Sequence, residues 1–365
     1  MAPNAARRRT ERLRKMVADE GLEGVVIAPG PNLRYYTGVN SQMFERPFLF
    51  FLPVVGEAQL VAPKLEAGPY TRSQLKIEIH EWDDTSGPSG AFAELRRRID
   101  LKGRWGCEGR VPFGYLTQFN RDDIQLTSAE PVLQVIRAVK EPSELQDLRK
   151  AATILSDAYE KIPSILREGI TELELSTALR EEVFALGGEA VDFGMVQAGA
   201  HAADSHLASS SKKIGSGEGV IIDAGCTIGG YNADITRTFL LGSNGELERV
   251  YADVLEAQKR AIGKVADGVA VGEVDAAARG HLASRRLGKY FFHRTGHGLG
   301  LEIHEEPYIV SGGMARLATG MVFTVEPGVY MKDKLGVRIE DDLVVTTGGS
   351  EVITGSLPKE FGWWR

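Results

Sequence analysis

The sequence predicts two domains, a small α/β unit followed by a larger α+β unit. Three observations carry this. At 365 residues the chain exceeds the usual size of one hydrophobic core. Its first ~135 residues alternate helical and strand-like periods, as an α/β unit does. Beyond them, short β-rich runs gather on either side of one helical stretch, the pattern of an α+β unit.

The elements follow in order. A helix is expected over Ala6 to Glu20, with Leu13, Met16 and Val17 at helical spacing, and a strand over Gly24 to Ala28. The basic run Arg7-Arg8-Arg9 belongs to the solvated face of that helix, because the polar Thr10-Glu11-Arg12 follows where an export signal needs apolar residues. The domain boundary is placed at Val139-Lys140-Glu141-Pro142, giving domains 1–136 and 137–365, with Ser143 and Gln146 as a capping box opening the next helix. Thr171 with Glu174 repeats that start signal, and Gly187-Gly188 supplies a stop. Strands are expected at 191–197, 219–226, 232–241, 321–330 and 336–346, around helix over 246–286. No fixed-period repeat is present.

Composition narrows the function. A hydrophobic share of 43% and a charged share of 25% are those of a globular protein, and the formal charge of −7 argues against a nucleic-acid partner. No apolar run reaches the ~18 residues that span a membrane. Cys107 and Cys226 are too few for a disulfide framework, so a cytoplasmic setting is expected and Cys226 reads as a small buried hydrophobe.

Chemistry concentrates in two expected hairpins. Val220 to Gly225 and Asn232 to Phe239 flank Gly229-Gly230; a turn centred between Ile228 and Gly229 sets Asp223 opposite Asp234. Met321 to Glu326 and Gly336 to Glu340 flank a turn centred near Asp333, which sets Glu326 opposite Glu340. A lone acid in a strand is usually solvent-facing. Two facing pairs in apolar runs destabilise the fold unless cations or protons lie between them, and a one-residue slip would turn an acid to the other face.

Three of the seven histidines, His293, His297 and His304, lie in one segment, where three glycines around His297 imply close approach of neighbouring backbone. The spacing of His293 and His297 is that of a helical zinc pair, but the intervening glycine and missing glutamate argue against it. One imidazole with four carboxylates is an oxygen-rich set suited to two first-row divalent ions. Thr236 and Thr238, sharing a strand face with Asp234, are candidates to orient it.

These motifs, Ile-Asp-Ala-Gly, Asn-Ala-Asp-Ile-Thr-Arg-Thr, His-Arg-Thr-Gly-His-Gly-Leu-Gly, Glu-Pro-Gly-Val-Tyr and Val-Arg-Ile-Glu-Asp, resemble the pita-bread metallopeptidases, a family that includes methionine aminopeptidase, prolidase, aminopeptidase P and creatinase. The resemblance covers roughly residues 137–360. It implies a pita-bread catalytic domain behind a smaller creatinase-type α/β domain. It also implies two divalent ions per chain, manganese first, with cobalt or zinc as alternatives. Asp234 and Glu340 would bridge them, Asp223 would hold one, and His297 with Glu326 the other. His206, His293 and His304 match histidines of the substrate site, and Arg338 matches an arginine beside the metals; Glu326 would also carry the proton. The substrate implied is a proline-containing di- or oligopeptide, cut by a cytoplasmic homodimer, with neither nucleic acid nor membrane as partner.

The size of the N-terminal domain and the sequence around His293 favour the Xaa-Pro dipeptidase branch, with aminopeptidase P as the alternative. Where some prolidases have an arginine four residues after the position of His304, this chain has Tyr308, and Arg46 is a candidate replacement. A non-catalytic binding protein and a creatinase-like hydrolase are the remoter readings.

Overall fold

The computed structural model describes residues 4–118, 123–204 and 207–365. The chain divides into two compact units, Met1–Arg137 and Ala138–Arg365.

The first unit is built on a six-stranded sheet. Its strands are β1 (Gly24–Ile27), β2 (Leu49–Pro53), β3 (Ala58–Pro63), β4 (Ile77–Trp82), β5 (Gly103–Cys107) and β6 (Ile124–Ser128). Their spatial order is β4-β3-β2-β1-β5-β6, with β1, β2 and β3 joined antiparallel and the outer pairs parallel. Strands β1, β2 and β3 are buried on both faces, which explains why they are apolar but for Gln59, whose amide oxygen lies 2.8 Å from His80 Nε2. A helix at Ala5–Asp19 buries Leu13 and Val17, and its terminus lies within a residue of the sequence expectation.

The second unit opens with a helix at Pro142–Tyr159. It begins earlier than a Ser143 cap would set it: Pro142 takes the first helical position, and the Glu144 carboxylate accepts the Glu141 N–H at 2.7 Å. The Thr171 box is present, with the Glu174 N–H donating to Thr171 Oγ1 at 3.1 Å and the Thr171 N–H to Glu174 at 2.8 Å. That helix, Glu172–Ala185, ends before Gly187, whose φ of 97° suits glycine. The stretch expected as one helix is two, Gly245–Ile262 and Val271–Ser284, broken at Gly263 and Gly268.

Three sheets follow. Strands β7 (Gly194–Ala198), β8 (Gly219–Ile228) and β9 (Tyr231–Leu240) form an antiparallel sheet in sequence order. Strands β10 (Gly296–Gly298), β11 (Glu305–Ile309), β12 (Val322–Val325), β15 (Asp341–Thr346) and β16 (Gly349–Val352) form a second, ordered β11-β10-β12-β15-β16. Strands β13 (Gly328–Met331) and β14 (Leu335–Arg338) make a two-stranded ribbon.

The register differs from expectation in one hairpin. The turn between β8 and β9 is Gly229-Gly230, so Ile228 faces Tyr231, Asp223 faces Thr236 and Asp234 faces Gly225. Asp223 and Asp234 are therefore diagonal neighbours. The shift from direct opposition is two residues, which preserves the face because side chains alternate with period two. The second hairpin keeps the expected register in both of its parts, Gly328 facing Arg338 and Val325 facing Asp341. It is interrupted between them. Pro327 has no N–H for the ladder, and the two acids at the break turn to other strands: the Glu326 N–H donates to Thr295 O at 2.8 Å and the Glu340 N–H to Thr236 O at 3.0 Å.

Candidate metal centre

The break in that hairpin opens the site. Glu326 and Glu340, separated from each other's backbone, project into a cavity of about 660 Å³ whose wall also carries Asp223, Asp234, His297 and Arg338. Asp223 and Asp234 are presented by β8 and β9, and His297 by β10.

The glycines beside His297 are explained by packing. A Cβ on Gly296 would lie 1.8 Å from Thr324 O, and one on Gly298 would lie 2.2 Å from Glu306 O, so only glycine lets β10 fit between β11 and β12. The imidazole is oriented by Nδ1, which lies 3.1 Å from Gly298 O. With Nδ1 donating there, Nε2 is a lone-pair donor directed at the acids, 3.4 Å from Glu326 Oε1 and 3.8 Å from Asp234 Oδ2. Asp234, His297 and Glu340 each offer a ligand atom within 4.8 Å of the others, and all three are buried.

Around these groups lies a hydrogen-bonded frame. Thr236 Oγ1 donates to Glu340 Oε2 at 2.5 Å and accepts from Arg338 Nε at 3.1 Å. Thr238 instead fixes backbone, donating to Arg338 O at 2.8 Å and accepting the Arg338 N–H at 3.0 Å. Arg338 also donates to the carboxylate of Asp223 and to Tyr330 Oη. His293 Nε2 lies 3.1 Å from the same Tyr330 oxygen, and the His304 ring centroid lies 4.0 Å from that of His297. His206 lies outside the described residues.

Electrostatics confirm the crowding. Burial, reinforced by Glu340 and Asp223, holds the Asp234 carboxyl well above the usual carboxylate range. Burial with Glu326 and Asp223 does the same to Glu340. Glu326 is pushed up to about 7 by burial, against the pull of Arg338. Burial and the neighbouring His304 push His297 well below its ordinary value, so the ring is neutral at physiological pH. Asp223 Oδ1, Asp234 Oδ1 and Glu340 Oε1 are buried with no hydrogen-bond partner among the described residues. Three orphaned carboxylate oxygens beside an imidazole lone pair are the donor set of a hard or borderline divalent cation, so the residues present fit one.

Sequence similarity agrees with this geometry. Residues 146–347 match the model of metallopeptidase family M24, and residues 9–139 match that of the Creatinase/Prolidase N-terminal domain. The chain belongs to metallopeptidase family M24. Among M24 relatives, the probable dipeptidase PepE of Mycobacterium tuberculosis is 35% identical over 348 residues, covering 94% of this chain and 92% of that protein. The recombinant prolidase of Thermococcus sibiricus superposes with a TM-score of 0.92 at 33% identity, over 97% of this chain and 98% of that one. The Xaa-Pro dipeptidase of Bacillus anthracis does so with 0.89 at 31%, over 98% and 99%. The second unit is thus the pita-bread domain of an M24 hydrolase, the first its creatinase-type companion, and the family implies a divalent metal. Among the described residues, no helix is long and apolar enough to cross a membrane.

Several residues that contact the site were not singled out from sequence. Tyr330 lies at the end of Glu-Pro-Gly-Val-Tyr and joins His293 to Arg338. Thr324 accepts the His297 N–H at 3.1 Å, and Asp342 accepts that of Asp234 at 2.9 Å. The Glu340-Asp341-Asp342 run was the available signal for the last of these. Arg294 lines the cavity, and its guanidinium lies 4.4 Å from the ring centroid of Tyr308. Arg46 is engaged within its own unit, donating to both oxygens of Asp84 at 2.9 and 3.0 Å and to Glu45 at 3.0 Å.

Proposed function

We propose that this M24 hydrolase cleaves the peptide bond between an N-terminal residue and proline, acting as an Xaa-Pro dipeptidase with two divalent ions, manganese first. The observation that carries the reading is the gathering of buried ligand atoms of Asp234, His297 and Glu340 within 4.8 Å of one another, beside carboxylate oxygens of Asp223, Asp234 and Glu340 that have no hydrogen-bond partner among the described residues. In this assignment Asp223, Asp234, His297, Glu326 and Glu340 would together hold the ions, with Asp234 and Glu340 as the residues common to both. The names of the relatives, probable dipeptidase, prolidase and Xaa-Pro dipeptidase, support the substrate class.

When bound, the ion pair supplies a water acidified towards neutrality and a Lewis acid for the scissile carbonyl. The residues do the rest. Glu326 would take the proton of the attacking water and pass it to the leaving proline nitrogen. His206 would help to stabilise the developing oxyanion, and His304 would hydrogen-bond the peptide near the scissile bond. His293, tied to Tyr330, shapes the wall for a proline ring, whose nitrogen has no N–H to be recognised. Arg338 positions Asp223 and, through Thr236, Glu340.

Tyr308 keeps aminopeptidase P as a second reading, because the arginine of some prolidases is absent from that position. The proposal extends to a cytoplasmic homodimer, consistent with two free cysteines, and sedimentation measures the dimer directly. The functional test compares Ala-Pro with Ala-Pro-Ala on chelated and manganese-restored enzyme. Manganese-dependent turnover of Ala-Pro above that of the tripeptide is expected. Preference for the tripeptide would move the assignment to aminopeptidase P, and inertness towards both would remove it.

A further inference from the structure

The cavity has a charge problem that the metal-binding groups do not solve. A dipeptide brings a free carboxylate into a space already lined by Asp223, Asp234, Glu326 and Glu340. Cations neutralise acids that they touch, but the far end of the substrate needs a partner of its own. Arg338 is already committed, its guanidinium donating to Asp223, Thr236 and Tyr330.

Arg294 is placed differently. It lines the same cavity, and among the described residues it forms no ion pair with a carboxylate. Its charge reaches the site, since it helps hold down the Glu326 carboxyl. Its guanidinium is supported from one side by the Tyr308 ring at 4.4 Å. Stacking leaves the edge of the guanidinium, with its N–H groups, available in the plane of the fork.

The backbone that presents it is fixed. Arg279, on the helix Val271–Ser284, donates to Phe291 O and His293 O, both at 2.9 Å, and Thr295 Oγ1 donates to Asp275 at 2.8 Å. Both residues that flank Arg294 are therefore tied to one helix. A long cationic side chain on so constrained a backbone, stacked on an aromatic face, has lost much of the entropy it would otherwise lose on binding an anion.

We propose that Arg294 binds the free carboxylate of the substrate's second residue, with Tyr308 as its platform, and so selects dipeptides over longer or C-terminally capped peptides. The inference rests on the Xaa-Pro hydrolase reading above. Hydrogen bonds between a guanidinium and a carboxylate in a half-closed cavity correspond to roughly 10- to 100-fold in affinity.

The test uses full-length, manganese-loaded enzyme with Ala-Pro, Ala-Pro amide and Asp-Pro, comparing wild type with Arg294→Gln and Arg294→Lys at equal metal content. Wild type is expected to prefer Ala-Pro to its amide in kcat/KM. Arg294→Gln is expected to raise KM for Ala-Pro by roughly 10- to 100-fold with little change in kcat, and to leave the amide unaffected. Arg294→Lys should restore part of the loss as a point charge. If wild type cleaves Ala-Pro but Arg294→Gln keeps the preference over the amide, Arg294 has no such role. An equal loss on both substrates would make it structural, and a loss confined to Asp-Pro would assign it to the first residue's side chain. If wild type cleaves none of the three, the fault lies with the functional reading.

Discussion

Replacing Thr236 by valine tests the frame around the site while preserving its shape. The hydroxyl donates to Glu340 Oε2 at 2.5 Å and receives Arg338 Nε at 3.1 Å, and Thr236 is completely buried. Valine fills nearly the same volume but removes both bonds. A buried hydrogen bond to a charged group contributes about 1.5–3 kcal/mol, which corresponds to roughly 10- to 150-fold in an equilibrium constant. That range overlaps the ~10- to 100-fold loss of metal affinity usual when a group orienting a ligand is removed. The sign with pH follows from the same bond. Thr236 draws the Glu340 carboxyl downward against burial and Glu326, so its loss raises that group further. A metal must then displace a more tightly held proton, and the deficit grows as pH falls. Manganese titrations of the chelated protein at pH 8 and pH 6 are expected to show weakened binding at both, more so at pH 6. Wild-type affinity within twofold at both values, in a protein of unchanged fold by circular dichroism, would show that the Thr236–Glu340 contact does not organise the site.

Three further outcomes follow from the same geometry. Asp234→Ala and Glu340→Ala are each expected to lose at least one manganese per chain and to abolish turnover, as measured by elemental analysis and Ala-Pro hydrolysis; full metal content with activity would refute the bridging assignment. Burial raises the carboxyls of Asp234, Glu326 and Glu340 above their unfolded values. Their contribution to the stability of chelated protein is therefore complete at pH 4 and declines as pH rises through 7, so thermal unfolding should move to lower temperature over that interval, and manganese should restore it most at the alkaline end. Lys140 and Glu305 form a pair 2.6 Å apart with side chains 1% and 4% exposed, and Lys140→Met is expected to cost about 3–5 kcal/mol in urea unfolding because it removes the cation beside a buried carboxylate.

Much of this was legible in the chain because strand geometry is forgiving in one respect. The β8–β9 register is two residues from the expected one, yet Asp223 and Asp234 still share a face, since only an odd slip reverses a side chain. In the other hairpin the register is as expected through both ladders, but the sequence did not reveal that Glu326 and Glu340 sit where the ladders part. Pro327 was the visible cause; that Thr295 and Thr236 would receive the released N–H groups depends on strands far away in sequence. The start of the first helix in the second unit was misread for a local reason, as Pro142 suits the first helical turn and moves the cap to Glu141. Tyr330, Thr324 and Asp342 escaped notice because uncharged or neighbouring residues acquire meaning only through what the fold sets beside them.

The run Glu340-Asp341-Asp342 shows why the site must recruit its own cations. Alternation sends Glu340 and Asp342 to one face, and Asp341 to the other. Asp341 meets Arg237, likewise turned away from the face of Thr236 and Thr238, at 2.7 Å, and Lys359 at 2.6 Å; these cations hold its carboxyl below the usual range despite complete burial. Arg237 also donates to the carbonyls of Glu340 and Thr236, so this ion pair binds the strand of Glu340 to that of Asp234 from behind. Its charge is spent on the far face. On the near face Asp342 accepts the Asp234 N–H, and Glu340 and Asp234 each keep an oxygen with no partner among the described residues. Sequence alternation therefore places Lys359 and Arg237 where they stabilise the scaffold, and leaves Asp234 and Glu340 to be neutralised by protons in the metal-free protein and by the divalent metal that the family implies in the working one.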